Sequence, residues 1–346
     1  MGKLTILSVA FPFAAVSADP VGGAEQILSR IDSALTVAGH RSIVMAAQGS
    51  VITGELITVP GCSGPIGWAQ WDRAHDFLRV MMTRCVADHR IDLVHMHGLD
   101  FNRYLPPPGL PVLATLHLPL EYYGADGLEP DRPRTWLNTV SNYQHEQMAS
   151  HPRVVRLIEN GVAVPPAPPS PKERFALAMG RICPEKGFHL ALEAAKAADV
   201  PLNLAGSISG FPEHREYFDK EIEPRLDDSR RWIGAVSGDL KWHLLQAAQC
   251  VLVPSLVAET ASLVAREAMA AGTAVIAYPN GALAETVEHG RTGFLVNNVD
   301  EMAKALSRAP EIDPLLCRRI ADERYSAKRM ARQYLELYHQ LVQQEP

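Results

Sequence analysis

The chain has 346 residues, of which 47% are hydrophobic and 21% charged, and its formal net charge is −6. This length predicts two domains, with enough apolar residues for two substantial cores. The acidic balance and the lack of a basic tract exclude a protein that binds nucleic acid mainly through phosphate contacts.

The chain begins with MGKLTILSVAFPF, whose apolar stretch of about ten residues is too short to span a membrane. Its β-branched residues and the glycines after it predict a first strand rather than a signal peptide. Ile6 does not fit the N-myristoylation motif. The cysteines form no C-x-x-C pair, which indicates reduced thiols rather than a zinc site or a disulfide framework. They are Cys62, Cys85, Cys183, Cys250 and Cys317. We expect a soluble cytoplasmic protein.

Short apolar runs alternate with longer helical patterns, which is typical of α/β proteins with parallel sheets. The proline-rich segment 161–173 cannot lie inside a helix or a central strand and predicts a stiff linker. We therefore predict doubly wound domains at 1–163 and 174–325, then a helix at 326–346. The predicted strands are LTILSVA, RSIVMAA, IDLVHMHG, VLATLH, LNTVS, VVRLIENG, RFALAMG, PLNLAG, RRWIG, CVLVPS, TAVIAY and GFLV.

The final helix has one apolar face, because its apolar residues recur at helical spacing. These residues are Met330, Tyr334, Leu337, Tyr338 and Leu341. In open parallel sheets, ligands bind beyond the carboxyl ends of the strands. With two such domains, the expected site is the cleft between them.

Gly22 and Gly23 follow the first strand and open a predicted helix. Two glycines allow a close approach of backbone to ligand, and a helix N-terminus offers free N–H groups to an anion. The pair does not match the G-x-G-x-x-G fingerprint, so a nicotinamide enzyme is disfavoured. A simple glycine turn explains the pair about equally well.

Three histidines lie at the ends of two predicted strands. His95 and His97 alternate on one strand and share a face, whereas His117 ends the next strand. No acidic or cysteine ligand accompanies them at metal-site spacing, so we expect no metal. Hydrogen bonding explains His95, and His117 is the better candidate for contact with a substrate.

The second half opens with ALAMGRICPEKG, in which two cations bracket a strand-to-helix turn. Gly180 and Arg181 end the strand, and Lys186 and Gly187 begin the helix. Cations, free N–H groups and the helix dipole together suit a diphosphate. Solvated surface cations are the alternative, but the position at the turn favours a ligand.

The segment AETASLVAREAMAAG carries two glutamates in apolar surroundings. We predict Glu259 at the start of a helix and Glu267 two turns inside it. A carboxylate can accept hydrogen bonds from the vicinal hydroxyls of a ribose or a hexose. A favourable helix dipole explains Glu259 equally well. Glu267 needs a partner in either case, because an unpaired buried carboxylate is costly.

In chain order, the segments VGGAE, TLH, NGV, GRICPEKG, AETASLVAREAMAAGTAVIA and GALAETVEHGRTGFLV resemble those of family 4 retaining glycosyltransferases. The resemblance covers nearly the whole chain. It implies the GT-B fold, in which two Rossmann-like domains face a cleft and the last helix crosses back to the N-terminal domain. The implied activity is metal-independent, cofactor-free transfer of a sugar, with retention, from a UDP-, GDP- or ADP-linked donor to a hydroxyl acceptor. The acceptor would be a glycan, a glycolipid or a small molecule.

The resemblance also implies roles for side chains. Arg181 and Lys186 would clamp the donor diphosphate and neutralise the charge on the leaving group. Glu267 would bind the ribose, and Glu259 would hold hydroxyls of the donor sugar. His117 would lie near the donor sugar and the acceptor.

Backbone groups have implied roles as well. Amides of Ala261, Ser262 and Leu263 would approach the sugar and the distal phosphate. Gly22 and Gly23 would close over the phosphates from the other domain. Many family members have phenylalanine and glycine where this chain has Ala261 and Ser262, so the donor sugar cannot be carried over from them.

Three other functions are less favoured. A phosphorylase would need a longer chain and a pyridoxal-phosphate lysine, and an epimerase would need a carboxylate pair in the N-terminal half. A non-catalytic nucleotide-sugar-binding protein is disfavoured because every charged residue of the motif is present. The acceptor is left open. The segment DRAHDFLRVMMTRCVADHR mixes both charge signs, so we expect at most peripheral membrane contact and slightly prefer a soluble acceptor.

Overall fold

The computed structural model describes residues 2–20, 22–60, 67–208 and 211–344, except for the side chain of Trp68. The chain forms two compact units: Met1–Asn160 with Lys328–Pro346 (unit 1), and Gly161–Ala327 (unit 2). Cys62 lies outside the described residues, and the other four cysteines are buried and unbridged. Within the described ranges, no helix is both long and apolar enough to cross a bilayer.

Unit 1 is built on a parallel sheet whose central strands are almost entirely buried. Its strands are β1 (Thr5–Val9), β2 (Arg41–Ala47), β3 (Glu55–Val59), β4 (Leu93–Met96), β5 (Val112–Thr115), β6 (Thr135–Thr139) and β7 (Val154–Leu157). They pair in the order β3-β2-β1-β4-β5-β6-β7. The helices before the linker are α1 (Gly23–Val37), α2 (Trp68–Asp88), α3 (Gly124–Leu128) and α4 (Asn142–Glu146).

Unit 2 contains a second, six-stranded parallel sheet. Its strands are β8 (Glu173–Met179), β9 (Leu202–Ala205), β10 (Arg230–Trp232), β11 (Ala248–Val253), β12 (Ala274–Ala277) and β13 (Gly293–Leu295). Their order is β10-β9-β8-β11-β12-β13. Its helices are α5 (Phe188–Ala197), α6 (Pro212–Tyr217), α7 (Gly238–Ala247), α8 (Leu263–Ala270), α9 (Leu283–Thr286), α10 (Val299–Arg308) and α11 (Pro314–Tyr325).

All twelve strands predicted from the sequence are present, and the two-sheet α/β architecture is confirmed. The prediction missed β3, because this strand pairs on one side only and most of its residues are exposed. Its sequence therefore lacks the continuous apolar run that marks a strand buried on both faces.

The proline-rich segment 161–173 is part of unit 2 and is fixed there by hydrogen bonds. The Arg318 guanidinium donates hydrogen bonds to the carbonyls of Pro165, Pro166 and Ala167. Nearby, the amide of Val162 donates to the Tyr325 carbonyl at 2.7 Å. Proline fixes φ but leaves its carbonyl free to accept, so one arginine can anchor this run.

The last helix, α12 (Ala327–Gln343), returns the chain to unit 1. The predicted apolar face is confirmed, since all five of its residues are buried: Met330, Tyr334, Leu337, Tyr338 and Leu341. Two ion pairs join this helix to the end of the unit 1 sheet. Arg329 lies 3.2 Å from Glu159, and Glu336 lies 3.2 Å from Arg156.

Candidate functional site

The candidate site of unit 2 lies where the strand order reverses. Strand β8 pairs with β9 on one side and with β11 on the other. Loops that leave the carboxyl ends of two such strands diverge and leave room for a ligand. The loop after β8 carries Arg181 and Lys186, and the loop after β11 carries Glu259.

The turn after β8 depends on glycine. A short 3-10 turn, Pro184–Lys186, leads into Gly187, whose φ of 63° lies in the left-handed region. A Cβ on Gly187 would lie 2.3 Å from the carbonyl oxygen of Pro254 in the other loop. The amide of Leu256 also donates to the carbonyl of Glu185 at 2.8 Å. The two loops therefore form one closely packed structure.

Lys186 and Glu259 form an ion pair between these loops, with Nζ 2.6 Å from Oε1. The same carboxylate oxygen accepts a hydrogen bond from the Ser255 hydroxyl. Their side chains are 28% and 11% exposed. Burial alone would raise the pKa of Glu259, but Lys186, Ser255 and Arg181 outweigh it and lower that pKa. Glu259 is thus an ionised acceptor near neutral pH.

Arg181 follows Gly180 and is exposed. It helps to lower the pKa of Glu259, yet no described residue forms an ion pair or a hydrogen bond with its guanidinium. A guanidinium carries five donors that match a phosphate or a carboxylate. Arg181 is therefore available to an anionic ligand beside the Lys186–Glu259 pair.

Helix α8 begins later than predicted, at Leu263, so Glu259 lies outside the helix. The alternative explanation, in which the dipole of a helix beginning at Glu259 stabilises its carboxylate, is therefore wrong. The backbone of Glu259 instead pairs with the next loop: its amide donates to Asn280 at 3.3 Å, and its carbonyl accepts from Ala282 at 2.8 Å. This pairing holds the extended segment that presents the carboxylate.

The residues predicted to offer backbone amides, Ala261, Ser262 and Leu263, lead directly into α8. Ser262 is the N-cap, but its hydroxyl forms no capping hydrogen bond. The first N–H groups of a helix have no intrahelical acceptor. They make this helix start suitable for an anion or a ligand hydroxyl.

Glu267 has a partner that the sequence did not reveal. Its Oε1 lies 3.2 Å from Nζ of Lys241 in α7, and the two side chains are 3% and 8% exposed. An ion pair this deeply buried must be matched closely to offset the cost of desolvation. Lys241 is therefore the cation that balances the buried charge of Glu267, as the cost of burial requires.

His117 and the glycine pair belong to unit 1. Gly22 is the N-cap of α1, which begins at Gly23 as predicted. The atoms nearest to a Cβ on Gly22 would belong to the Glu25 carboxylate, which is the flexible end of a side chain. His117 follows β5, and its Nε2 lies 3.0 Å from Nδ1 of His97. Burial lowers the pKa of His117 to about 3, so its ring is neutral near pH 7.

The three strand-end histidines do not form a cluster of potential metal ligands. Among the described residues, the one such group is Cys183, Glu185 and His214, whose ligand atoms lie within 4.8 Å of one another. Burial raises the pKa of the Cys183 thiol to about 11, so this sulfur stays protonated near neutral pH.

Comparison with known proteins gives the family context. A model of "Glycosyl transferases group 1" matches residues 164–326, which include Arg181, Lys186, Glu259 and Glu267. D-inositol 3-phosphate glycosyltransferase of Saccharomonospora viridis is 32% identical over 191 residues, or 50% of this chain and 44% of that protein. The matched segment spans less than half the length of the first curated relatives.

Solved structures match nearly the whole chain at lower identity. Sucrose-phosphate synthase from Thermosynechococcus elongatus has a TM-score of 0.77 and 21% identity, covering 98% of this chain and 99% of its own. Anabaena Alr3699/HepE in complex with UDP-glucose has a TM-score of 0.73 and 18% identity, covering 98% of this chain and 100% of its own. At these identities, the likeness establishes the fold.

Proposed function

We propose that this chain, which matches the group 1 glycosyl transferases over residues 164–326 and has the GT-B fold, transfers a sugar, with retention, from a nucleotide-diphosphate donor to a hydroxyl acceptor. The observation that carries this proposal is the Lys186–Glu259 pair at the switch point of unit 2, with Arg181 beside it. It places cations suited to a diphosphate next to an acceptor suited to sugar hydroxyls.

Arg181 and Lys186 bind the donor diphosphate in this proposal. Lys186 is already held by Glu259, and an ammonium has three donors, so it can keep this bond and still bind phosphate. As the glycosidic C–O bond breaks, negative charge grows on the departing diphosphate. Cations fixed before the reaction stabilise that charge without reorganisation, and a metal ion is not needed.

Glu259 holds hydroxyls of the donor sugar. Its carboxylate is ionised, and Oε1 is occupied by Lys186 and Ser255. Its second oxygen is left for the sugar, and ionised acceptors form stronger hydrogen bonds than neutral ones. Glu267 binds the ribose hydroxyls, with Lys241 keeping its charge balanced inside unit 2.

Retention proceeds without an enzyme nucleophile, because Glu259 is committed to binding. The bond from the sugar carbon to the diphosphate oxygen breaks, and the acceptor oxygen bonds to that carbon from the same face. The acceptor proton passes to an oxygen of the departing diphosphate. Within unit 1, the proposal gives His117 the role of a neutral hydrogen-bonding group, and it gives Gly22 and Gly23 the role of backbone contacts.

The donor class is tested first by thermal denaturation with UDP-, GDP- and ADP-sugars. A ligand that binds only the folded protein raises its melting temperature. The solved structure with UDP-glucose makes UDP-sugars the first choice. Slow hydrolysis of the stabilising donor would then support an enzyme, whereas binding without hydrolysis or transfer would identify a non-catalytic binding protein.

The role of Lys186 is tested by Lys186→Ala. We expect turnover to fall by about 100-fold or more, with a smaller loss of donor binding, because the cation acts mainly on the developing charge. Lys220→Ala is the matched control, since it breaks an exposed Lys–Glu pair of 2.5 Å in the same unit. Unchanged turnover in Lys186→Ala would contradict the clamp, and an inverted anomer in the product by NMR would contradict retention.

A further inference from the structure

A chain of buried hydrogen bonds runs from the last helix to the end of strand β5. The Tyr338 hydroxyl lies 2.7 Å from Nδ1 of His95, and Nε2 of His95 lies 2.7 Å from Oγ1 of Thr115. All three side chains are fully buried. Buried polar networks that satisfy every member hold their side chains in one arrangement.

The direction of each hydrogen bond in this network can be assigned. The Thr115 hydroxyl donates to Oδ1 of Asn138 at 2.6 Å, because an amide oxygen can only accept. Its oxygen therefore accepts from Nε2 of His95, and it also lies 3.1 Å from the Tyr334 hydroxyl. Nδ1 of His95 is then left to accept from Tyr338. Both nitrogens of His95 are occupied, so this ring serves as a fixed support.

His95 supports His97, and His97 holds His117. The rings of His95 and His97 are in contact, with centroids 3.9 Å apart. Nδ1 of His97 shares a hydrogen bond of 3.0 Å with Nε2 of His117, and these two rings are inclined by only 17°. His117 is thus connected through two histidines to Tyr338 of α12.

The outer nitrogens of this pair, Nε2 of His97 and Nδ1 of His117, are buried and have no hydrogen-bond partner among the described residues. Leaving such a group unpaired costs about 1–3 kcal/mol. Burial lowers the pKa of both rings, so both are neutral near pH 7. A neutral ring whose Nε2 is already bonded can act on a ligand only through Nδ1.

We propose that His97 is a positioning residue that holds the His117 ring so that Nδ1 of His117 binds a hydroxyl group of the sugar substrate. The choice of a sugar rests on the proposed glycosyl transfer. The positioning of one ring by the other rests on the hydrogen bond and ring contacts of unit 1. Tyr338 anchors the far end of the same network.

Two pairs of variants test whether His97 positions His117 and whether Nδ1 of His117 is the nitrogen that binds the substrate. His97→Asn places an amide near Nδ1 and keeps a bond to His117, whereas His97→Leu cannot form one. We expect kcat to fall about tenfold in His97→Leu and to be largely recovered in His97→Asn, the size of effect expected for one buried hydrogen bond. His117→Asn keeps a polar group near Nδ1 and should be more active than His117→Gln, which keeps one near Nε2. The opposite order at position 117, or full activity in His97→Leu, would overturn the proposal.

A readout that does not depend on activity is the ¹⁵N NMR spectrum of the histidine rings, with His117→Asn identifying the His117 signals. We expect a single fixed tautomer of His117 in the natural protein and averaged tautomers in His97→Leu. Identical His117 signals in both would contradict the positioning role. Should His97→Leu not fold, His97→Gln gives the same comparison, because it moves the amide away from the Nδ1 position. A natural protein without transfer or hydrolysis would refute the proposed function, while these spectra would still decide the role of His97.

Discussion

Gly187 joins the two loops of the candidate site, because its lack of a side chain lets the turn after β8 pack against the Pro254 carbonyl. Its φ of 63° disfavours other residues, and a Cβ would lie 2.3 Å from that oxygen. We predict that Gly187→Ala destabilises unit 2 by more than the ~1–2 kcal/mol of a left-handed alanine alone. The free energy of unfolding in urea measures this effect.

Gly290→Ala is the matched control for this prediction. Gly290 has a similar φ of 74°, but a Cβ there meets nothing within 4 Å. Gly290→Ala should therefore lose only the free energy that a left-handed alanine costs, without any clash of its Cβ with neighbouring atoms. Equal losses of stability in the two variants would show that the loops adapt to the added methyl group, contrary to the prediction.

Single residues of the site were predictable, but their partners were not. Lys186 and Glu259 each stood out by their position after an apolar run, whereas their ion pair joins residues far apart in sequence. Lys241, the partner of Glu267, lies in an ordinary helical pattern. No local sequence pattern predicts these ion pairs, because they depend on which strands and helices lie side by side in the fold.

At the scale of elements, the start of α8 is proposed to meet the donor sugar, and it carries Ser262 where many members of the family that the sequence resembles have glycine. Ser262 is buried, and its hydroxyl forms no capping bond. We predict that Ser262→Gly changes stability by only a few tenths of a kcal/mol, as expected when glycine replaces serine at an N-cap. If the adjacent amides bind the donor sugar, the same change should alter the ratio of kcat/KM between donor sugars.

Ser237→Gly provides the control. Ser237 is the N-cap of α7, and it also lacks a side-chain capping bond. This variant should match Ser262→Gly in melting temperature and leave the preference among donors unchanged. A shift in preference in both variants, or in neither, would argue against a role for position 262 in choosing the sugar.

Strands were predicted better than helix starts, and the reason is physical. Strands buried in a parallel sheet are short runs of mostly apolar residues, which β5 and β12 illustrate, whereas most residues of the edge strand β3 are exposed. The start of α8 depends on where the loop stops pairing with Asn280 and Ala282, a tertiary contact. The alanine-rich sequence alone would allow the helix to begin near Glu259.

At the scale of the whole molecule, unit 1 consists of two separate parts of the chain. Residues 328–346 complete a unit whose other residues end at Asn160, whereas unit 2 is a continuous segment. The apolar periodicity of α12 made its apolar face predictable. The hydrogen-bond partners of Tyr334 and Tyr338 were not predictable, because a buried tyrosine usually finds a partner but the helical pattern does not show which one.

This division predicts different behaviour for the two units when they are produced alone. A fragment of residues 161–327 should unfold cooperatively, because its sheet and core are complete within one segment. A fragment of residues 1–160 should not, because it lacks five buried side chains of α12. Burying each of these side chains stabilises the fold by about 1.5–3 kcal/mol. The sum is comparable with the free energy of unfolding of a whole domain, about 5–15 kcal/mol.

Calorimetry and circular dichroism of the two fragments measure the difference. A synthetic peptide of residues 326–346 should restore a cooperative transition to fragment 1–160, and the same peptide with Tyr338→Phe should restore it less well, since Nδ1 of His95 then loses its donor. Cooperative unfolding of fragment 1–160 without the peptide would show that α12 covers a sheet that is already stable. In that case the helix would matter for holding the histidines rather than for folding unit 1.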